Sequence, residues 1–128
     1  MMDERLQAAL DMAREAGELA QRMRESPGVL ETSNKGPMDL VTAADHAVEA
    51  LLRERILTFD PGVAILGEEG GLEGTGKAVW ILDPIDGTIN FSRGLPDWAV
   101  SIACFDGQEI THGVIHAPDL GITAWAKR

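Results

Sequence analysis

The first part of the chain carries apolar residues at spacings of three and four, which is the period of an amphipathic helix. The pattern begins near Asp3 and continues to about Arg24. It is followed by Ser26-Pro27-Gly28, and residues of these types neither continue a helix nor pair in a strand. The sequence therefore predicts one long helix over residues 3–24, with a polar segment after it.

A second helical pattern lies between Thr42 and Leu57 and stops before Asp60-Pro61-Gly62. Thr42 is followed three residues later by Asp45, which is the spacing of a capping box at the start of a helix. We therefore expect the second helix to begin at Thr42. On this interpretation Asp45 is a purely structural partner of the cap.

From Val63 onward the pattern changes to short apolar runs, which are typical of strands. Val63–Leu66 and Ala78–Leu82 are two such runs. Between them, Gly67–Lys77 holds five glycines among eleven residues and is predicted to be a mobile loop. Pro84, just beyond the second run, has no N–H to donate, so we expect strand pairing to end there.

Trp98–Phe105 and Ile110–His116 flank a short polar segment and predict a hairpin, and Gly121–Trp125 predicts a further strand. Two long helices followed by mostly antiparallel strands indicate an α+β fold, with both helices packed on the sheet. The 128 residues are enough for one such domain. Cys104, the single cysteine, lies inside an apolar run and is expected to be a buried thiol.

The chain is strongly acidic, because eleven Lys and Arg residues stand against 21 Asp and Glu, a formal net charge of −10 at pH 7. Such a surface repels nucleic-acid backbones, so we expect no nucleic-acid partner. It also repels small phosphates unless some carboxylates hold cations. No apolar run approaches the roughly 20 residues that span a bilayer, and the N-terminus lacks the pattern of a secretory signal. We therefore expect a cytoplasmic protein without membrane contact.

Several charged residues stand at the ends of predicted elements. Glu68 and Glu69 follow the run Val63–Leu66, and by themselves two glutamates in a glycine-rich loop are typical of solvated surface. The alternative is that Glu68 turns back over the strand end as a ligand of a hard cation. Lys35, in the earlier polar segment, is by default a solvated lysine.

The motif Asp83-Pro84-Ile85-Asp86-Gly87-Thr88 directly follows the run Ala78–Leu82. One interpretation is an Asp-Pro turn followed by an Asp-Gly turn. The other is chemical: the strand end and the turn direct the carboxylates of Asp83 and Asp86 at one point. Asp86 then caps the next element, and the N–H groups of Gly87-Thr88 offer a phosphate site.

Together, these carboxylates favour a cation site; they are Asp45, Glu68, Asp83 and Asp86, with Glu69 beside them. Gathered without cations, they would repel one another and raise some of their pKa values. Magnesium relieves that repulsion, because it prefers oxygen ligands and keeps several waters. Two such ions can also stabilise the attacking and leaving oxygens of a displacement at phosphorus.

The same motifs resemble the signature of the inositol monophosphatase family, and the resemblance covers nearly the whole chain. The matching segments are Asp39–Asp45, Gly67–Glu69, Trp80–Phe91, Pro96–Ile102 and His112–Ile115. The resemblance implies that residues 1–128 are the N-terminal metal- and phosphate-binding domain, the first half of a layered α/β sandwich. It also implies that Lys35 and Asp39 lie in a mobile segment that folds over the site.

The resemblance further implies a set of magnesium ligands. Glu68, Asp83 and the carbonyl of Ile85 would bind the first ion. Asp83 and Asp86 would bind a second, and Glu68 would help to hold a weaker third.

Catalytic and substrate-binding roles are implied in the same way. Thr88 and Glu68 would orient the attacking water, with Asp45 hydrogen-bonded on the Thr88 side. The backbone of Gly87 and Thr88, next to Asp86, would bind the phosphate.

These roles imply Mg²⁺-dependent hydrolysis of a small phosphate monoester, by direct attack of metal-activated water and without a phosphoenzyme. Inositol 1-phosphate is the default substrate. Histidinol phosphate, fructose bisphosphate and 3′-phosphoadenosine nucleotides, which similar-looking relatives use, stay open. Inhibition by lithium and a homodimer are further properties that the resemblance implies.

The match stops short of a whole family member, since members are about twice this long and carry a Trp-Asp metal-binding motif in their second half. The three tryptophans here are followed by Ile81, Ala99 and Ala126. The resemblance therefore implies that the C-terminal domain is absent and that the sheet presents an edge and a face that relatives cover. Two functions stay open: a phosphatase that associates with the missing half, and a truncated, non-catalytic module that binds cations or a partner.

Overall fold

The computed structural model describes residues 3–25 and 37–128. These residues form two long helices that pack against one face of a six-stranded sheet, which confirms the predicted α+β architecture. The elements follow one another in the order α1 (Glu4–Glu25), α2 (Pro37–Phe59), β1 (Ala64–Gly67), β2 (Gly71–Glu73), β3 (Val79–Asp86), α3 (Thr88–Ser92), β4 (Ala99–Phe105), β5 (Ile110–Ala117), a 3₁₀ helix (Pro118–Leu120) and β6 (Ile122–Lys127).

Helix α1 forms where the apolar period predicts it. Asp3 caps its first turn, because Oδ1 accepts hydrogen bonds from the N–H groups of Arg5 (2.8 Å) and Leu6 (3.1 Å). The buried face repeats the spacing of three and four seen in the sequence, with Leu6, Ala9, Leu10, Ala13, Ala16 and Ala20. Across residues 3–25 and 37–128, no helix is long and apolar enough to cross a membrane.

Helix α2 begins at Pro37, so the prediction that it begins at Thr42 is wrong. Proline is favoured in the first turn of a helix, where an N–H group would have no intrahelical partner. Thr42 and Asp45 therefore lie inside the helix, and the capping-box interpretation of this pair is wrong as well. Lys35 lies outside the described residues, and so does the side chain of Asp39.

The strands lie in the order β2-β1-β3-β4-β5-β6. Strands β1 and β3 are parallel, and the other neighbouring pairs are antiparallel. The predicted hairpin is confirmed as β4 and β5. The prediction of a loop over Gly67–Lys77 is wrong at Gly71–Glu73, because these residues turn back and pair with β1 as β2. Gly71 has a φ of 63°, which glycine adopts readily, and this conformation lets the chain reverse within a short turn.

Strand β3 continues through Pro84 to Asp86, so the expectation that pairing ends at Pro84 is wrong. Its register with β4 is regular as far as Asp83 opposite Ser101, then shifts and resumes with Asp86 opposite Ala99. A residue without an N–H interrupts the ladder, and a local irregularity of this kind accommodates the gap. Asp83 and Asp86 thus stand on either side of a break in the ladder at the end of the strand.

Within residues 3–25 and 37–128, helices α1 and α2 cover one face of the sheet and leave the other uncovered. Trp80, Val100 and Ile102 are buried in the core between sheet and helices, and Cys104 is buried there as predicted. The other face carries an open apolar groove lined by residues that include Ser101, Ala103, Gly113, Ile115, Ala124 and Trp125. The sheet therefore has one buried and one exposed apolar face.

Candidate metal and phosphate site

Asp45 is a buried carboxylate on α2, with only 7% of its surface exposed. Burial is the largest cause that raises the pKa of Asp45 to about 7. The negative charges of Glu69, Glu68 and Asp83 act in the same direction. Within the described residues, the Oδ1 atom of Asp45 is buried without a hydrogen-bond partner. Because an unpaired buried carboxylate oxygen is unfavourable, this position calls for a proton or a cation.

Asp83 stands where the regular part of β3 ends, and its side chain is partly buried. Burial, followed by the charges of Glu68 and Asp86, raises the pKa of Asp83 to about 6. The charge of Asp83 in turn contributes to the raised pKa of Asp45. The structure therefore brings the predicted carboxylates into one electrostatic cluster, which consists of Asp45, Glu68, Asp83 and Asp86.

Glu68 and Glu69 lie in the turn between β1 and β2, at the exposed border of this cluster. Glu69 Oε2 lies 3.1 Å from Nε2 of His46 on α2, so the two form an ion pair when the imidazole is protonated. In the described part of the chain, Glu68 makes no hydrogen bond or ion pair. Of the two glutamates, Glu68 is therefore the one whose carboxylate is available to a cation.

Gly87 is the N-cap of α3, with φ 92° and ψ 45°, and no side chain of the described residues caps this helix. The prediction that Asp86 caps it is wrong, because Asp86 is the last residue of β3 and is held opposite Ala99. A Cβ at Gly87 would lie 2.7 Å from the carbonyl oxygen of Asp97. Both the positive φ and this close approach require glycine here.

The remaining predicted residues adjoin this turn. Thr88 is the first residue of α3 and is partly buried, and Ile85 is buried with 2% of its surface exposed. In the ranges that the structure describes, no hydrogen bond joins Thr88 to Asp45. Asp45 therefore shares the electrostatic cluster but does not touch Thr88 through a hydrogen bond in this conformation.

The donor set fits magnesium better than a metal that needs a complete protein cage. Among the described residues, no group of three or more His, Cys, Asp or Glu side chains is arranged to hold one ion. Magnesium is typically bound by one or two carboxylates together with waters and substrate phosphate. The unpartnered oxygen of Asp45 and the raised pKa values of Asp45 and Asp83 both indicate a shortage of positive charge at this place.

One buried charge next to the site was missed from the sequence. Glu49 lies one helical turn beyond Asp45, and only 2% of its surface is exposed. A signal for it was present, because Glu49 and Arg53 have the i, i+4 spacing of an ion pair on a helix.

Comparison with known proteins assigns the chain to a family. The family model described as inositol monophosphatase family matches residues 1–128. The chain belongs to the inositol monophosphatase family. This confirms the resemblance that the motifs indicate, and inositol monophosphatases act on small phosphate substrates and generally use Mg²⁺.

Curated relatives in the inositol monophosphatase family have different names. Nus factor SuhB of Pseudomonas aeruginosa is 41% identical over 121 residues, which cover 91% of this chain and 45% of the relative. Inositol-1-monophosphatase of Caulobacter vibrioides is 38% identical over 131 residues, covering 100% of this chain and 48% of the relative. Histidinol-phosphatase of Streptomyces coelicolor is 41% identical over 101 residues, covering 76% and 38%.

Solved structures of inositol monophosphatases share the fold. Inositol monophosphatase II from Staphylococcus aureus superposes with a TM-score of 0.81 at 31% identity, covering 94% of this chain and 45% of that one. The chain thus spans less than half the length of this protein and of the curated relatives above.

Proposed function

We propose that this chain is the N-terminal metal- and phosphate-binding domain of a Mg²⁺-dependent phosphomonoesterase. The reaction is hydrolysis of a small phosphate monoester, with inositol 1-phosphate as the default substrate. The observation that carries the proposal is the carboxylate cluster around the end of β3, in which Asp45 and Asp83 both have raised pKa values. Two relatives named inositol-1-monophosphatase and histidinol-phosphatase support the same class of reaction.

The cluster residues divide between two magnesium sites and a weaker third. Glu68, Asp83 and the carbonyl of Ile85 would hold the first ion, Asp83 and Asp86 would hold the second, and Glu68 would contribute to the third. Bound magnesium would lower the pKa of a water and neutralise charge on the leaving oxygen.

The protein's own groups position the reactants. Thr88 and Glu68 orient the attacking water, and Asp45 supports the Thr88 side from the buried face of α2. The N–H groups of Gly87 and Thr88, next to Asp86, bind the phosphate, because backbone donors at such a turn attract anions. Glycine at position 87 allows the backbone of this turn to approach the carbonyl oxygen of Asp97, where a Cβ would clash.

The proposed partner is a small phosphorylated metabolite in the cytoplasm. A net charge of −10 supports a small substrate that approaches bound cations. The same charge argues against a nucleic acid or a membrane surface as the partner. Sensitivity to lithium, and a homodimer or association with a C-terminal half, belong to the same proposal. The alternative is a non-catalytic module that binds metal or a partner, and the name Nus factor of the Pseudomonas aeruginosa relative is the observation that favours retaining it.

Phosphate release from inositol 1-phosphate tests the proposal, with the purified chain in the presence and absence of Mg²⁺ and of Li⁺. Magnesium binding to the same protein is measured by calorimetry, so that the metal site is tested even when no phosphate release is detected. The matched variants are Asp83→Asn in the cluster and Asp11→Asn, an exposed aspartate on α1. We expect Asp83→Asn to abolish magnesium binding and turnover, and Asp11→Asn to retain both. Wild-type behaviour of Asp83→Asn would refute the metal assignment.

A further inference from the structure

The carboxylate of Glu49 is bound to the backbone of the turn that carries Glu68. Its Oε1 accepts a 3.1 Å hydrogen bond from the N–H of Glu69, and its Oε2 accepts a 2.7 Å hydrogen bond from the N–H of Gly70. Only 2% of Glu49 is exposed, so these bonds form away from solvent. Glu49 on α2 therefore binds the turn between β1 and β2 directly, by accepting hydrogen bonds from two consecutive N–H groups of the turn.

Arg53, one helical turn further along α2, makes hydrogen bonds both to Glu49 and to the chain just after the turn. Its Nε donates a 3.1 Å hydrogen bond to Oε2 of Glu49. Its Nη2 donates to the carbonyl oxygen of Gly71 at 2.7 Å, and its Nη1 donates to Oε1 of Glu73 at 2.9 Å. The rigid fork of a guanidinium can bridge these acceptors at once, which a lysine ammonium cannot reproduce.

The glycines of the turn are matched to these two side chains. A Cβ at Gly67 would lie 2.5 Å from Oε1 of Glu49, and a Cβ at Gly70 would lie 2.8 Å from Cζ of Arg53. Neither glycine has a positive φ, so the reason for glycine here is the close approach of the helix side chains rather than backbone conformation. The two glycines thus leave the space that the side chains of Glu49 and Arg53 occupy next to the turn.

The hydrogen bonds of Glu49 connect two parts of the candidate site that are far apart in sequence. Asp45 and Glu49 lie one turn apart on α2, and Glu68 immediately precedes the two N–H groups that Glu49 holds. Since a helix is stiff over one turn, the position of Glu68 relative to Asp45 is set through Glu49. Side chains that orient ligands in this way are worth a large factor in metal affinity.

From these contacts we infer that Glu49 and Arg53 are positioning residues that hold the Glu68 turn for magnesium binding. The inference rests on the proposed function, because it concerns the same site. Neither residue is among the proposed metal ligands; both contact the backbone of the turn, at Glu69, Gly70 and Gly71. Their removal should therefore weaken magnesium binding while the rest of the fold stays intact.

The test is magnesium affinity by calorimetry for Glu49→Gln, Arg53→Lys and the control Glu54→Gln. Glu54 lies on the same helix, and its largely exposed carboxylate is 3.5 Å from the guanidinium of Arg55. We expect Glu49→Gln to weaken magnesium binding by about 10- to 100-fold, Arg53→Lys to weaken it by a smaller factor, and Glu54→Gln to leave it unchanged. Amide exchange of Glu69 and Gly70 should accelerate in Glu49→Gln without metal, because one carboxylate acceptor becomes an amide N–H₂.

The variants separate positioning from charge and from folding. Arg53→Lys keeps the net charge, so weaker binding in this variant cannot come from a change in the overall field. If Glu49→Gln does not fold, Arg53→Lys still decides. Wild-type affinity in both folded variants, or in a folded Arg53→Lys alone, would overturn the inference while leaving the proposed function intact. Failure of the wild-type chain to bind magnesium would contradict the proposed function, and the inference with it.

Discussion

The indole Nε1 of Trp98 donates a 2.7 Å hydrogen bond to the carboxylate of Asp119. The same carboxylate accepts hydrogen bonds from Nε2 of Gln21 at 2.9 Å and from Nη2 of Arg24 at 2.8 Å. Burial would raise the pKa of Asp119, but these three donors outweigh burial and lower it. Asp119 thus links α1 to Trp98. Trp98 in turn lies against Gly87, within 3.4 Å of the position that a Gly87 Cβ would take.

Loss of this carboxylate should destabilise the fold. In Asp119→Ala the three donors lose their acceptor, and the Arg24 guanidinium, which also lies 5.4 Å from the Trp98 ring centroid, is left without its ion pair. We expect the free energy of unfolding to fall by about 2–4 kcal/mol, measured by urea titration followed by tryptophan fluorescence. Asp11→Ala on the same helix is the control, because Asp11 contacts Gln7 alone among the described residues, by an exposed hydrogen bond, and the change should alter stability by less than about 0.5 kcal/mol. Equal midpoints for the two variants would contradict the role of Asp119.

Alanine substitutions at Gly87 and Gly94 distinguish the cost of a positive φ from the cost of a steric clash. Gly87 and Gly94 both have a positive φ, 92° and 73°. A Cβ at Gly94 would meet no atom of the described residues within 4 Å, whereas at Gly87 it would lie 2.7 Å from the Asp97 carbonyl oxygen. Gly94→Ala should therefore lower the free energy of unfolding by about 1–2 kcal/mol, and Gly87→Ala should lower it by more, because backbone must also move.

Thermal unfolding of the two glycine variants makes this comparison, with phosphate affinity as a second readout. Gly87→Ala should weaken phosphate binding in the presence of magnesium, while Gly94→Ala should not. Similar losses of stability in the two variants would show that the contact with Asp97 does not constrain the turn.

The sequence predicts those features that depend on local patterns. The apolar period locates α1, the alternation of strands and turns locates the β4–β5 hairpin, and the motif after Leu82 locates Asp83 and Asp86. All of these signals are carried by residues that are close together in the chain.

Features that depend on distant partners were missed or misplaced. Strand β2 exists because Gly71–Glu73 finds β1, which a count of glycines does not reveal. Glu49 is held by N–H groups 20 and 21 residues away, so its role cannot be read from its neighbours in the sequence. Helix α2 began earlier than predicted because Pro37 supplies a start that competes with the Thr42 pattern. Tertiary contacts decide the cases of β2 and Glu49, whereas a competing local signal decides where α2 begins.

Cys104 should react slowly with thiol reagents. It is 3% exposed, and burial raises the pKa of its thiol to about 12. The folded protein should thus contain on the order of a thousandfold less thiolate at pH 8 than an ordinary cysteine. Labelling with a chromogenic disulfide, followed by the absorbance of the released thiolate, measures this rate, with glutathione as the reference thiol. Urea should restore the fast rate, and a fast rate without urea would place Cys104 on the surface.

The carboxylate cluster should make the metal-free protein less stable as pH rises. Asp45, with a pKa raised from 3.8 to about 7, keeps a proton in the folded state at pH values where the unfolded chain has lost it. Asp83, with a pKa raised to about 6, behaves in the same way. When the folded state binds more protons than the unfolded state, the free energy of unfolding falls with rising pH. The contribution of Asp45 is therefore present below about pH 4 and is lost between about pH 4 and 7.

Asp45→Asn isolates this contribution, because the amide resembles the neutral carboxyl in shape and does not ionise. In EDTA at pH 8 we expect the variant to be more stable than the wild type by about 1–3 kcal/mol, and at pH 4 we expect the two to be alike. Asp11→Asn, an exposed aspartate on α1, is the control and should follow the wild type at both pH values. Magnesium should reduce the wild-type deficit at pH 8, because a cation stabilises the ionised carboxylates that the metal-free fold holds together. If wild type and Asp45→Asn instead have the same stability from pH 4 to pH 8 in EDTA, Asp45 is not held in an unfavourable ionised state, and the electrostatic basis of the candidate site is wrong.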